Sequence, residues 1–266
     1  MTAWKACDYW RNEKMLERMI KELSIDKSYR PFVDGFIDAV NRAFPELVHG
    51  IYMCGSIPRG LAKPYKSDAD FTIVFNSRVS EEMKNTLNTI KSDLCSQFPF
   101  VTKIDVHNCS IEEIDESSIG WNFWITIVSI CVHGKDLAES LPRLEANCAL
   151  IKEINSDTLA VTDNLFKKLS LSLNKSEADH LIKKISRRYL MALFSLELEK
   201  QKFWTDELNL MSQILCQVHP EKIDWLRFLF AQAAEPKVSR QEFLSSFVEI
   251  KSWFEKTLET FFTNNS

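Results

Sequence analysis

The stretch from Ile51 to Phe75, IYMCGSIPRGLAKPYKSDADFTIVF, constrains the fold more than any other part of the chain. Two apolar runs flank a Gly-Ser turn and a basic polar loop, and the second run opens with two aspartates one residue apart. A strand repeats its side-chain direction every second residue, so Asp68 and Asp70 are expected on one face. Two carboxylates held that close repel each other unless a cation neutralises them, and hard oxygen ligands suit Mg²⁺, which is commonly held by a few carboxylates and substrate phosphates. Upstream, Gly55 permits a tight turn out of the first strand. Ser56 then presents a hydroxyl and backbone N–H groups at the start of a short helix, an arrangement suited to phosphate.

Taken together, Gly55-Ser56, Arg59-Gly60, Ala62, Pro64 and Ser67-Asp68-Ala69-Asp70 resemble the signature of the nucleotidyltransferase superfamily typified by DNA polymerase β. The local pattern looks most like small bacterial members of the aminoglycoside adenylyltransferase type, which have two domains. The resemblance implies an α+β chain: an N-terminal nucleotidyltransferase α/β domain with a mixed sheet, residues 1–142, then a C-terminal α-helical bundle, residues 143–266, that closes the substrate cleft. It covers the first 140 or so residues by motif and the helical half only by architecture.

Strands are read over about 48–54 and 69–76, and a capped helix over about 80–97, opened by Ser80 and carried by Met83, Leu87, Ile90 and Leu94. Upstream, Tyr9, Met15, Met19, Ile20 and Leu23 make one apolar stripe and Phe32, Phe36, Ile37, Val40 and Phe44 another. They read as two packing helices between 8 and 44, the second stopped at Pro45. Phe100–Cys109 alternates as a strand with Asp105 in its interior, and His107 shares that residue's face. The aromatic and β-branched density of Trp121–His133 reads as a buried strand ended by Gly134.

From there on the pattern is helical. Leu159, Val161, Leu165, Leu169 and Leu171 begin it, a stripe from Leu181 to Leu196 marks a helix over about 177–200, and further helices fall near 205–218, 222–234 and 239–262. Within the long helix, Lys183/Arg187 and Lys184/Arg188 stack at i, i+4 into two basic ridges. A triphosphate held at the aspartates needs cations on its outer side, and Arg187 and Arg188 are the better phosphate partners because a guanidinium can fork onto two oxygens. The Phe203-Trp204 pair and Trp121, Trp124, Trp225 and Trp253 are read as core, with stacking on a base as the alternative.

The resemblance implies the site residues Asp68, Asp70 and Asp105, catalytic and metal-binding, and Gly55, Ser56, Arg59 and Ser67, nucleotide-binding; the basic ridges add Arg187 and Arg188 as nucleotide-binding. Asp105 either shares a metal or takes the proton of the acceptor hydroxyl, and Arg59 either touches the triphosphate or braces the loop. One or two Mg²⁺ ions and ATP or another nucleoside triphosphate are implied, with transfer of a nucleoside monophosphate, AMP by preference, to an acceptor hydroxyl. For a helical domain of this kind the nearest acceptor is an aminoglycoside-like cation, which acidic residues such as Glu177, Asp179, Glu197, Glu199, Asp206 and Glu207 would attract. The same aspartates would serve a transferase acting on a protein or RNA in a toxin–antitoxin or defence system, and a non-catalytic nucleotide-binding module is the reading from a different class.

Composition narrows the setting. A formal net charge of −4 over 266 residues disfavours a long nucleic-acid partner. Cys7, Cys54, Cys95, Cys109, Cys131, Cys148 and Cys216 form no C-x-x-C pair or Cys/His group of zinc spacing, which fits reduced thiols. With no export leader or membrane-spanning run in view, the expected setting is cytoplasmic.

Overall fold

The computed structural model describes residues 15–114, 119–172 and 174–264. These form two compact units, one of residues 16–144 and the other of Met15 with residues 145–264.

The first unit is built on a four-stranded mixed sheet in the order β3-β2-β1-β4, with β1 Val48–Cys54, β2 Ala69–Phe75, β3 Ile104–Ser110 and β4 Ile130–Gly134. β1 runs antiparallel to β2 and β4, while β2 and β3 are parallel. A parallel pair needs a long crossover. It is supplied by α2, Glu81–Gln97, whose first turn is capped by the Ser80 hydroxyl accepting from the Met83 N–H at 3.2 Å. α1, Arg30–Ala43, carries Pro31 in its first turn and ends before Pro45.

The two faces of the sheet have different tasks. Ile51, Met53, Phe71, Ile73, Phe75 and Ile104 pack with Phe32, Phe36 and Val40 of α1 and Leu87, Ile90 and Leu94 of α2. Phe36 lies flat on Phe71 at 3.7 Å between centroids. Full burial of rings such as these is worth roughly 1.5–3 kcal/mol each. On the opposite face Tyr52, Val74 and Cys109 meet Ile114 and Ile125 in a smaller apolar cluster, which leaves the rest of that face for polar side chains.

Two expected elements differ. Residues 15–25 are not a helix but an extended strap, whose N–H groups bond elsewhere in this unit: Leu16 to the Leu144 carbonyl at 2.9 Å, Met19 to Ile127 at 2.8 Å and Ser24 to Pro58 at 2.8 Å. With donors satisfied by other segments, an apolar spacing that suits either form settles as extended chain. Tyr9 and Cys7 lie outside the described residues. The run Trp121–His133 is mostly helical: α3, Ile119–Phe123, continues as a π-helical turn, Trp124–Val128, and only its last four residues, with Gly134, become β4. The Thr126 hydroxyl donates to the Asn122 carbonyl at 2.7 Å, and the widened turn brings the Trp124 indole N–H to the Thr72 hydroxyl at 2.7 Å.

The second unit is all helix among its described residues apart from links: α4 Cys148–Ile154, α5 Thr158–Leu171, α6 Lys175–Ser195, α7 Leu198–Gln201, α8 Leu208–Val218, α9 Ile223–Ala234 and α10 Arg240–Asn264. The helix expected over 177–200 is thus two, parted near Leu196. Tyr189 of α6 anchors the core, 4.8 Å from Phe247 and 4.1 Å from Phe254 between ring centroids. Leu159 and Leu171, expected on a packed stripe, are exposed; Thr158, Thr162, Leu165 and Leu169 take the buried face of α5.

Candidate active site

The second face of the sheet carries the expected carboxylates at one end. β1 closes on Cys54, whose register partner on β2 is Asp70, and Asp70 stands opposite Asp105 on parallel β3. Register partners on neighbouring strands point to the same side, and strands lie about 4.8 Å apart. Asp70 and Asp105 therefore share a face with Thr72 and His107, one step along the same register. Asp68 lies just before β2 and is exposed, whereas Asp70 is half-buried.

The turn above them is shaped by two glycines. Gly55 has φ +81°, a conformation that L side chains rarely adopt, and a Cβ placed on it would sit 3.3 Å from the Asp70 Oδ2. The absence of a side chain at Gly55 lets the chain turn directly over the carboxylate. Residues 57–60 form turns rather than the expected short helix. Within them the Arg59 Nε–H donates to the Gly55 carbonyl at 2.8 Å and the Leu61 N–H to the Ser56 carbonyl at 2.9 Å. Of the two tasks open to Arg59, bracing the loop is visible.

Ser56 and Ser67 tie the two sides of the loop together. The Ser56 hydroxyl donates to the Ser67 Oγ at 3.2 Å, and that oxygen also accepts from the Lys63 N–H at 2.9 Å. The Ser67 carbonyl accepts from both the N–H and the hydroxyl of Thr102, at 3.1 and 3.0 Å. The residue before the acidic pair is thereby anchored to the approach to β3, which sequence reading did not foresee because Thr102 carries no motif.

Asp105 has a partner of its own: the Lys103 ammonium lies 2.7 Å from its Oδ2. His107, exposed, sits edge-on to the Trp124 ring at 5.5 Å between centroids. Among the described residues no three Asp, Glu, His or Cys side chains converge as a metal-binding group. The carboxylate oxygens of Asp68 and Asp70 are of the hard kind that suits Mg²⁺, which commonly takes its other ligands from substrate oxygens and water. Two thiols of the sheet are poor nucleophiles at neutral pH: burial pushes Cys109 up to about 12 and Cys131 up to about 11.

Arg187 and Arg188 belong to α6 in the helical unit. The Arg187 Nε–H donates to the Ala233 carbonyl at 3.2 Å; Arg188 donates from Nε to the Thr158 hydroxyl at 3.2 Å and pairs with Asp157. Phe203 and Trp204 pack on Phe194, each 5.9 Å between centroids, and Trp225 packs on Trp253 at the same spacing, so these rings serve the bundle.

Known proteins resemble this sheet in sequence pattern and fold. Residues 33–123 match the family model described as the nucleotidyltransferase domain. Over that span the chain is similar to a nucleotidyltransferase domain. The match takes in most of α1, the sheet through β3 and both aspartates. The spectinomycin adenyltransferase from Enterococcus faecialis, solved with ATP and spectinomycin, superposes at a TM-score of 0.52 with 11% identity, covering 79% of this chain and 91% of that one. At that identity the likeness is one of fold. A toxin–antitoxin structure solved with AMP-PNP aligns over 49% of this chain and 96% of that one, at 12% identity and a TM-score of 0.31, too low to carry an argument. No curated protein matches the sequence. Among the described residues no helix is long and apolar enough to cross a membrane.

Proposed function

We propose that the nucleotidyltransferase domain transfers a nucleoside monophosphate, AMP from ATP first among the candidates, to a hydroxyl of an acceptor and releases pyrophosphate. The observation that carries this reading is the Gly55 turn lying over the Asp70 carboxylate with Asp68 beside it. A backbone kept clear of side chains above paired carboxylates suits a metal-bound triphosphate.

In the proposed step the acceptor oxygen attacks the α-phosphorus, the new P–O bond forms as the bond to the β-phosphate oxygen breaks, and pyrophosphate leaves with that electron pair. Asp105, in register with Asp70, takes the acceptor proton. The Lys103 ammonium, 2.7 Å from its Oδ2, holds this carboxylate in place. Asp68 and Asp70 would hold Mg²⁺, which when bound supplies positive charge to the α-phosphate and the departing pyrophosphate. Ser56 and Ser67 fix the loop beside the phosphates. For Arg187 and Arg188 a phosphate role remains a proposal from the sequence; each spends its Nε–H within the bundle, and Arg188 also pairs with Asp157. The acceptor proposed is an aminoglycoside-like small molecule, in keeping with the two-part fold shared with the spectinomycin enzyme.

The test is incubation of the full chain with labelled ATP, GTP, CTP or UTP, Mg²⁺ and a panel of aminoglycosides including spectinomycin, following pyrophosphate release and label transfer. Transfer from ATP to at least one panel member is expected, and no nucleotide binding under any condition would overturn the reading.

A further inference from the structure

The loop between Gly60 and Ser67 carries side chains that the site as described does not use. Its backbone is fixed: the N–H groups of Lys66 and Ser67 both donate to the Lys63 carbonyl, at 3.1 and 3.0 Å, and the Tyr65 N–H donates to the Phe100 carbonyl at 2.7 Å. On this rigid turn the side chains stand in solvent. Tyr65 is 71% exposed, and Lys63 and Lys66 are exposed on either side of it. Tyr65 also has φ +61°, unusual for a bulky residue and unfavourable by itself. A ring placed in water on a left-handed backbone gains nothing from burial to offset that cost, and such positions cluster at ligand clamps.

Charge gives the loop its partner. A nucleoside triphosphate held at Asp68 and Asp70 has an outer tail whose negative charge grows as pyrophosphate departs, and fixed cations there stabilise the transition state. Nearby in this unit, Arg59 gives its Nε–H to the Gly55 carbonyl and Lys103 is paired with Asp105. The ammonium groups of Lys63 and Lys66 take part in none of the hydrogen bonds or ion pairs among the described residues of the unit. Lys66 is two residues from Asp68.

We propose that the 61–66 loop is the clamp on the triphosphate tail: Lys63 and Lys66 pair with oxygens of the β- and γ-phosphates, and the Tyr65 phenol donates a hydrogen bond to the same group. The proposal rests on the nucleotidyl-transfer reading and deepens it by placing the tail's cations in the same unit as the carboxylates.

The experiment measures binding of ATP and AMP to the full chain in Mg²⁺ by calorimetry, for the wild type, Lys63→Gln/Lys66→Gln and Tyr65→Phe. For the lysine double variant, ATP affinity is expected to fall at least tenfold toward that of AMP, AMP affinity to stay within twofold, and the salt dependence of ATP binding to become shallower. Tyr65→Phe should show a smaller loss confined to ATP. A wild type that binds ATP while the double variant binds it equally well overturns the clamp and leaves the transferase reading standing. A wild type that binds neither nucleotide overturns both.

Discussion

Gly55→Ala separates catalytic geometry from stability, because the structure sets a specific conflict. The added methyl group would lie 3.3 Å from the Asp70 Oδ2 on a backbone at φ +81°. The left-handed conformation costs an alanine about 1–2 kcal/mol. The carboxylate is a side-chain end and can yield a few tenths of an ångström, so the clash itself adds little to unfolding. The displaced group is the one proposed to hold the metal, and since a 1 Å error at a reacting centre can cost about a hundredfold, a shift of a third of that corresponds to about a fivefold loss of transfer. Gly60→Ala supplies the contrast. There the new Cβ would meet the Ser24 backbone oxygen at 2.5 Å, at φ +69°, and backbone cannot swing aside. Strain of about 1–2 kcal/mol then adds to overpacking of about 1–3 kcal/mol, with no carboxylate touched. Thermal unfolding and Mg²⁺-dependent nucleotide affinity, measured on both variants, should rank them in opposite orders: Gly60→Ala the less stable, Gly55→Ala the weaker binder among folded molecules. Wild-type nucleotide affinity in a folded Gly55→Ala protein would refute the placing of the metal at Asp70.

Asp68→Asn and Asp70→Asn should each abolish pyrophosphate release and weaken Mg²⁺-dependent ATP binding with little change in melting temperature; near-normal release by either variant removes the carboxylate pair from the mechanism. Asp105→Asn should lose turnover by about a hundredfold or more while keeping ATP affinity, as a base does; a parallel fall in affinity would assign it to the metal instead. Tyr65→Gly should raise the melting temperature, since the change removes about 1 kcal/mol or more of left-handed strain, yet weaken ATP binding; a lower melting temperature would show that the ring is structural. Burial holds the His219 imidazole below its ordinary value, so its contribution to stability is complete above about pH 6.5 and is lost as pH falls through the lowered value. The stability difference between the wild type and His219→Gln should therefore shift in favour of the variant between pH 7 and 5, and a difference independent of pH would refute this.

What was legible in the sequence depended on how local its cause was. The Gly-Ser turn, the acidic pair and the Ser80 cap each act within a few residues, and β1, β2 and α2 fall within one or two residues of where those signals put them. Register carried Asp105 as well. An acid inside an alternating apolar run has to leave the core face, and in parallel pairing it lands opposite Asp70. The strap at 15–25 and the run at 121–133 failed for one common reason. In both, apolar density reports burial truthfully, with Leu16, Ile20, Phe123, Ile125, Ile127 and Val128 all buried, but the backbone form is decided by partners distant in sequence. Ser24 bonds to Pro58, and the Trp124 indole N–H finds the Thr72 hydroxyl across 52 positions.

The same distinction explains why Tyr65 carried no weight as a sequence feature. Exposed tyrosine in a Lys-Pro-Tyr-Lys loop looks like ordinary surface, and nothing in the string shows that its φ is positive or that Phe100 fixes its N–H. The motif residues around it are there for turning and for charge, and each has a visible partner: Ser56 with Ser67, Arg59 with Gly55, Thr102 with Ser67. In a loop whose framework is so fully bonded, the lysines and the tyrosine are the groups left to meet a ligand. Charge sharpens the point, because the carboxylate end of the sheet repels a triphosphate until a metal and nearby cations reverse the local sign, and the chain's −4 balance offers no general positive field to help. Reversing the loop's charge with Lys63→Glu/Lys66→Glu should therefore harm ATP binding more than neutralising it, and raising the ionic strength should narrow that gap, since screening acts on exposed charges first.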